Sequence, residues 1–210
     1  MAGLVFDQVG NLYGTTYMAG ADGTGNVFKL TPNSDGTWTE SVLHTFTWPG
    51  KDGVWPLAGL IFDQTGSLYG TASMGGDRNC QHGMGCGVVF QLTPNGDGTW
   101  TERVLYSFTD GNDGLAPSSG LTFDQKGNLY GTTAEGGDVN VCRGSGCGIV
   151  FKLEPNSDGG WKETVVHRFV DRPGAIPISG VVLDRSENLY GTTRGDLRPT
   201  THGSVFEITP

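Results

Sequence analysis

Apolar residues in this chain come in short runs, and the runs recur in one order. Leu4-Val5-Phe6 is closed by Asp7, and the same shape returns over Leu60 to Asp63, Leu121 to Asp124 and Val181 to Asp184. A brief apolar run bounded by turn signals predicts a buried strand. After a turn, Gln8-Val9-Gly10-Asn11 in the first unit, comes the phrase Leu12-Tyr13-Gly14-Thr15-Thr16, which predicts a second strand. It is repeated as Leu68-Tyr69-Gly70-Thr71-Ala72, Leu129-Tyr130-Gly131-Thr132-Thr133 and Leu189-Tyr190-Gly191-Thr192-Thr193. A glycine-rich connection then leads to a third strand, Val27-Phe28-Lys29-Leu30, echoed from Val89, Val150 and Val205. The stretch Pro32-Asn33-Ser34-Asp35-Gly36, seen again as Pro94-Asn95-Gly96-Asp97-Gly98, predicts a hairpin loop. Asp-Gly between apolar runs is a strong hairpin signal, because glycine accepts positive φ at little cost. The fourth strand is predicted from Trp38 to Phe46, with counterparts at Trp100 to Phe108 and Trp161 to Phe169.

Tyr13, Tyr69, Tyr130 and Tyr190 therefore mark a unit of roughly sixty residues, the period of a stacked supersecondary repeat. Four antiparallel strands per unit is the layout of a β-propeller blade. A lone sheet with apolar residues on both faces cannot hide them, whereas stacked neighbours bury both at once. The predicted fold is all-β, a β-propeller of four-stranded antiparallel blades, with a β-solenoid as runner-up. Blades are assigned to residues 3–56, 57–117 and 118–177, with an incomplete fourth at 178–210. That makes about fifteen strands, or about 3.75 blades, read either as a fragment of a larger ring or as a small four-bladed ring. An open arc would leave two apolar blade faces exposed, so self-association through them is expected. Met1-Ala2-Gly3-Leu4 aligns with Leu57-Ala58-Gly59-Leu60, so the sequence opens at a repeat boundary, with room for a leader or further repeats upstream.

Composition changes this picture little. The 210 residues suffice for one large domain. Glycine is abundant, at 36 residues, but it recurs at fixed places beside aromatic residues, as in chains of short strands and tight turns. The net charge of −9, with only 13 scattered Lys and Arg, argues against nucleic acid as a partner. No apolar run is long enough for a membrane-spanning helix, and Met1-Ala2-Gly3-Leu4 has neither the basic nor the apolar region of a secretory signal.

The phrases Gly-Asn-Leu-Tyr-Gly-Thr-Thr (127–133), Val-Phe-Lys-Leu (27–30) and Trp-Thr-Glu-Arg-Val-Leu (100–105) resemble the GloVer-type tandem-repeat proteins over essentially the whole chain. These are bacterial surface or secreted proteins, often tied to the cell by one of several alternative C-terminal anchors. The resemblance implies a propeller in a secreted or cell-surface setting and supplies no catalytic residues. No anchor or sorting tail precedes Pro210. More distantly, the strand order is similar to that of NHL-type propellers, which are mostly interaction platforms.

Cys80 and Cys86 lie in the connection between the second and third strands of the second unit, and Cys142 and Cys147 in that of the third. In those units the step from motif Tyr to third-strand Phe (Tyr69 to Phe90, Tyr130 to Phe151) is longer than in the other two, which have no cysteine. Extra loop length and a cysteine pair thus arrive together. The simplest reading is a local disulfide pinning each longer loop, worth about 2 kcal/mol on the chain-entropy model, and it would imply an oxidising compartment. A Cys₄ zinc site or free thiols are the alternatives. Zinc knuckles usually space paired cysteines more closely.

His44 and His167 share a repeat position at which the second unit has Tyr106, which predicts an outer-strand surface site rather than a catalytic base. His82 and His202 lie in variable loops. Asp7, Asp63, Asp124 and Asp184 recur before a turn, where a side-chain bond to nearby backbone N–H groups is expected; a ring of carboxylates binding cations is the sharper alternative. The motif tyrosines are expected to pack between blades. A calcium loop at Asn33-Ser34-Asp35-Gly36 lacks its distal glutamate, and no nucleophile elbow, phosphate loop or dinucleotide fingerprint occurs. No cofactor is predicted. Variation concentrates in the loops 17–26, 73–88, 134–148 and 194–204. The expected function is a non-catalytic module binding a protein or carbohydrate through those loops, with a polysaccharide lyase or hydrolase and a purely structural surface segment as alternatives. Fold alone decides none of these.

Overall fold

A computed structural model describes residues 2–48, 50–109, 111–170, 174–195 and 202–209. The first sheet holds β1 (Val5–Phe6), β2 (Leu12–Thr16), β3 (Asn26–Pro32) and β4 (Trp38–Thr45). The second holds β5 (Ile61–Phe62), β6 (Leu68–Ala72), β7 (Val88–Pro94) and β8 (Trp100–Ser107). The third contains β9 (Leu115–Pro117), β10 (Thr122–Phe123), β11 (Leu129–Glu135), β12 (Ile149–Pro155) and β13 (Trp161–Arg168), and the fourth β14 (Val182–Leu183), β15 (Leu189–Thr193) and β16 (Ser204–Ile208). Each sheet is antiparallel and ordered as the chain runs, β1-β2-β3-β4 and so on. The result is all-β, with the first two sheets four-stranded as predicted, the third holding one strand more and the fourth three. Met1, Pro49, Pro210 and part of the 194–204 loop lie outside the described residues.

Two expectations need correcting. The described strands number sixteen rather than fifteen. The addition is β9, which bonds to β11 through Thr133↔Pro117 and Glu135↔Leu115, on the edge β10 occupies further along. Leu115–Pro117, at the end of the second sequence unit, thus adds to the third sheet. Its proline interrupted the apolar pattern and disguised the pairing. The hairpin segment also starts later than expected, since Pro32 still pairs with Trp38. The same irregularity sits in three sheets, between Val27 and Phe28, Val89 and Phe90, and Val150 and Phe151. A bulge there sharpens the twist of the outer strand.

The motif glycine exists for a packing reason. Gly14, Gly70, Gly131 and Gly191 pair across the ladder with Phe28, Phe90, Phe151 and Phe206. A Cβ on Gly70 would lie 2.6 Å from the Phe90 ring and 2.9 Å from Leu60. The tip of the third-strand phenylalanine ring occupies that space, and any side chain would push it off.

Neighbouring sheets meet through one kind of joint, its Phe–Phe and Thr–carbonyl contacts used three times and its tyrosine–phenylalanine–tryptophan cluster twice. Tyr13 takes Phe62 and Trp100 of the next blade edge-on, at 5.0 and 6.1 Å between ring centres, and Tyr69 takes Phe123 and Trp161 at 5.1 and 6.5 Å. Phe46 meets Phe90, Phe108 meets Phe151, and Phe169 meets Phe206. Such edge-to-face pairs add about 0.5–1.5 kcal/mol each beyond area burial. Thr15, Thr71 and Thr132 donate their hydroxyls to the carbonyls of Ala58, Ser119 and Ser179 in the following blade. The buried clusters each bridge two blades, as where Tyr69 and Val89 join Leu121 and Phe151.

Of the two readings, a fragment of a larger ring and a small closed four-bladed ring, the exposed outer faces bear out the fragment. Phe6 is 63% exposed at the start and Val205 78% exposed at the end, whereas Val27, Val89 and Val150, the counterparts of Val205, are fully buried. Both outer faces are open, and the blades form an arc.

Candidate binding face

Antiparallel order puts two kinds of connection at opposite ends of every blade. At the turn end are the hairpins between the first and second strands and between the third and fourth. At the loop end are the connections between the second and third strands and the links from one blade to the next.

The turn end is nearly the same in every unit. Asp7 Oδ1 accepts from the backbone N–H of Val9 and Asn11 at 3.0 and 2.9 Å, while Oδ2 accepts from the Tyr13 hydroxyl at 3.1 Å and the Asn11 amide at 2.6 Å. Asp63 does the same with Thr65, Ser67 and Tyr69, Asp124 with Lys126, Asn128 and Tyr130, and Asp184 with Ser186, Asn188 and Tyr190. For Asp63, burial pushes the carboxyl up, but the Thr65 hydroxyl, the backbone N–H groups and Tyr69 outweigh it and hold the acid below its usual range. Asp7 and Asp124 follow the same balance, and in Asp184 the Asn188 amide is the largest cause of the depression. The tyrosines move the other way: burial, then the bond to Asp7, raises Tyr13 to about 12. A carboxylate whose lone pairs are taken up by four donors and held ionised is no proton donor near neutral pH. Clefts of about 530 and 330 Å³ separate adjacent turns, one between Phe6-Asp7 and Phe62-Asp63, the other between Phe123-Asp124 and Leu183-Asp184.

At the loop end the units diverge. Cys80–Cys86 and Cys142–Cys147 are disulfides, with Cα atoms 5.6 and 5.3 Å apart, and among the described residues no cysteine is free. Inside each bridged loop two consecutive non-glycine residues take positive φ, Gln81 and His82 in one, Cys142 and Arg143 in the other. Gly85 and Gly146 donate back to Cys80 and Val141, closing each loop on itself. In the first blade Thr24 stands where the second cysteine does, and its hydroxyl bonds the Phe46 carbonyl instead.

The inter-blade links press against these loops. Trp55, Ala116 and Ile176 have φ of 60, 55 and 60°, each just before a proline, and donate their N–H to the carbonyls of Thr24, Cys86 and Cys147 at 2.8, 3.0 and 2.9 Å. The following prolines lie so close to Gly25, Gly87 and Gly148 that a Cβ there would meet Pro56, Pro117 or Pro177 within 2.8 Å. Non-glycine residues in this region are uncommon, cost about 1–2 kcal/mol and concentrate at functional sites. Between the third and fourth blades this end opens into a cleft of about 310 Å³, lined by Glu135, Arg143, Ile176, Ile178 and Arg194 among others.

The histidines stay on separate elements. His44 is half-buried rather than at the surface: Nε2 lies 3.0 Å from Asp52, and the ring packs edge-on to Phe46. Tyr106 makes the same arrangement with Asp113 at 2.9 Å and with Phe108, while His167 packs against Phe169. The reason is the link after β4 and after β8, which folds back to supply the acid. Sequence reading missed this pair, though the spacings His44 to Asp52 and Tyr106 to Asp113 were there to be seen. It also missed the left-handed residue before each link proline, whose signal was the recurrence of Trp55-Pro56, Ala116-Pro117 and Ile176-Pro177. Among the described residues no group of three or more His, Cys, Asp or Glu could hold a metal ion, and no helix is long and apolar enough to cross a membrane.

Comparison with solved structures finds a luciferin-regenerating enzyme at 18% identity with a TM-score of 0.55, covering 99% of this chain. The chain spans 60% of that enzyme's length. At this identity the likeness speaks for a propeller-like fold and nothing more. A glucose dehydrogenase-type oxidoreductase from Thermus thermophilus matches at 14% identity with a TM-score of 0.39, covering 94% of this chain and 78% of its own, too low a score to argue from. Comparison with curated proteins gives no match. The Gloeobacter/Verrucomicrobia repeat profile matches residues 1–210, and the chain belongs to that family.

Proposed function

We propose that this chain is an extracytoplasmic, non-catalytic propeller module that holds a protein or carbohydrate partner against its loop end. The observation that carries the reading is the pair of disulfide-pinned loops standing on consecutive blades at that end. A rigid sheet scaffold presenting variable, locally fixed loops is a common way to build a binding surface. Pinning removes conformational freedom before the partner arrives, which lowers the entropy lost on binding. The two bridges also favour an oxidising compartment. The cleft between the third and fourth blades is the proposed contact, with Ile176 and Ile178 as its apolar floor and Arg143 and Arg194 as its polar groups.

Glycan and protein arrays probed with the disulfide-intact chain test this. A ligand whose binding falls with Arg143→Glu and Ile178→Asp, but not with Gln8→Glu at the turn end, is the expected result. No ligand on either array, together with turnover of a polysaccharide, would replace this reading with an enzymatic one.

A further inference from the structure

The first two internal joints of the arc are each made from two half-faces; in the third, Leu183 takes the phenylalanine position beside Tyr130, and the fourth blade has no tryptophan among the described residues. The forward half offers a tyrosine and a threonine from the second strand and a valine from the third, such as Tyr13, Thr15 and Val27. The backward half of the next blade offers a backbone carbonyl ahead of its first strand, a phenylalanine from that strand and a tryptophan from the fourth, here Ala58, Phe62 and Trp100. Both halves also exist unpaired at the two ends of the arc. The fourth blade carries Tyr190, Thr192 and Val205, with Thr192 exposed and Val205 78% exposed. The first blade carries Ala2, Phe6 and Trp38, with Phe6 63% and Trp38 45% exposed. The residue types match those of the first two closed joints position for position.

We propose that a second copy of this chain docks head to tail on the fourth blade, with its Phe6 and Trp38 edge-on to Tyr190 and its Ala2 carbonyl accepting from the Thr192 hydroxyl. Large exposed apolar faces mark association sites, and a tyrosine face that already takes the same phenylalanine and tryptophan from two neighbours in this chain is best matched by a third such face. Association between separate copies is concentration-dependent. Because the joint is heterologous, a single one leaves further ends free, whereas two related by a twofold axis close a ring. Eight blades is within the usual range for propellers.

Sedimentation velocity across a wide concentration range, with native disulfides intact, reads this directly. The expected result is a growing species of twice the chain mass, its dissociation constant raised by about tenfold or more by Val205→Asp or by Phe6→Asp. Both positions are solvent-exposed in the single chain, so an unchanged melting temperature verifies that the variants fold. Mixing a Phe6→Cys chain with a Tyr190→Cys chain should give a crosslinked heterodimer. A chain that stays monomeric at every concentration would overturn the proposal, as would association unaffected by both substitutions. Placing both cysteines in one chain and recovering only an internal crosslink would show that the arc closes on itself, and would overturn it too.

Discussion

The two ends of each blade solve the same problem, how to turn the chain without stranding backbone polar groups, by opposite means. At the turn end one aspartate gathers two N–H groups and a tyrosine hydroxyl, and the device is copied four times with little change. At the loop end the solution differs from unit to unit, a threonine hydroxyl in the first and disulfides in the second and third. The turn end is held by local hydrogen bonds that need only a few fixed residues. The loop end is held by covalent closure and tolerated backbone strain, which leaves the exposed side chains free to vary.

Removing a disulfide probes that difference most strongly. Cys80→Ala with Cys86→Ala should destabilise the chain by about 2 kcal/mol. Hydrogen exchange should quicken chiefly over 73–88, because local opening follows local constraint. Loss of protection spread over the whole second blade would mean that the loop is part of the core. At the turn end, Asp63→Ala should cost about 1–2 kcal/mol, since two backbone N–H groups and Tyr69 lose their acceptor at a partly solvated site. Asp124→Ala should cost nearly the same by chemical denaturation, while a wide gap between them would break the idea of a copied device. The sign with pH follows from the lowered carboxyl: its stabilisation is present above the unfolded pKa and fades as pH falls through the folded one.

A smaller effect is expected from relieving strain at the loop end. Ala116 holds a φ of 55° ahead of Pro117, a conformation glycine adopts freely. Ala116→Gly should therefore raise stability by roughly 0.5 kcal/mol, the relief offset in part by the greater freedom of glycine in the unfolded chain. A loss on thermal melting would show that the Ala116 methyl contributes more by packing than its backbone costs.

How much of this was legible follows the same division. The strands and the blade could be anticipated because short apolar runs and Asp-Gly turns act over a few residues. The turn-end aspartate was visible for the same reason, whereas the motif glycine opposite phenylalanine appears only in the ladder register. Lys29, Gln91, Lys152 and Glu207 occupy one third-strand position, and its variation hid that Lys29 and Lys152 lie over Tyr13 and Tyr130 while Gln91 and Glu207 bond Tyr69 and Tyr190. At the loop end, Cys86–Gly87 touching Pro117 is a contact between distant segments. No local pattern announces it, and neither does the pairing of β9 with β11. The open fragment was one of two readings of the repeat count, and choosing between it and a closed ring depended on which faces lack a neighbour, a property of the assembled sheets.

The seam between outer strands gives the subtlest test of the comparison, because there a blade depends on charge rather than on turns or bridges. Glu102 in β8 and Glu163 in β13 each bury a carboxylate oxygen without a hydrogen-bond partner. Glu102 faces His44 and Asp52 of the blade before; burial pushes it up to about 7, His44 opposes the shift and Asp52 adds to it. Glu163 is likewise raised to about 7 by burial and then by Asp113, with Arg168 opposing. Glu40, at the same position on the open first blade, is exposed. A folded-state value above the unfolded one means that the folded chain holds extra protons in between. Stabilisation is thus complete below the ordinary glutamate range and is lost as pH rises through about 7. Both groups keep some solvent access, so the contribution of each is discounted to below about 1 kcal/mol, or less than about 3 °C in melting temperature. Glu102→Gln should remove part of the fall in melting temperature between pH 5.5 and pH 8.5, and Glu102→Gln with Glu163→Gln more of it, while Glu40→Gln leaves it intact. If all three glutamines behave alike in calorimetry, the buried oxygens are hydrated and the seams contribute no pH sensitivity.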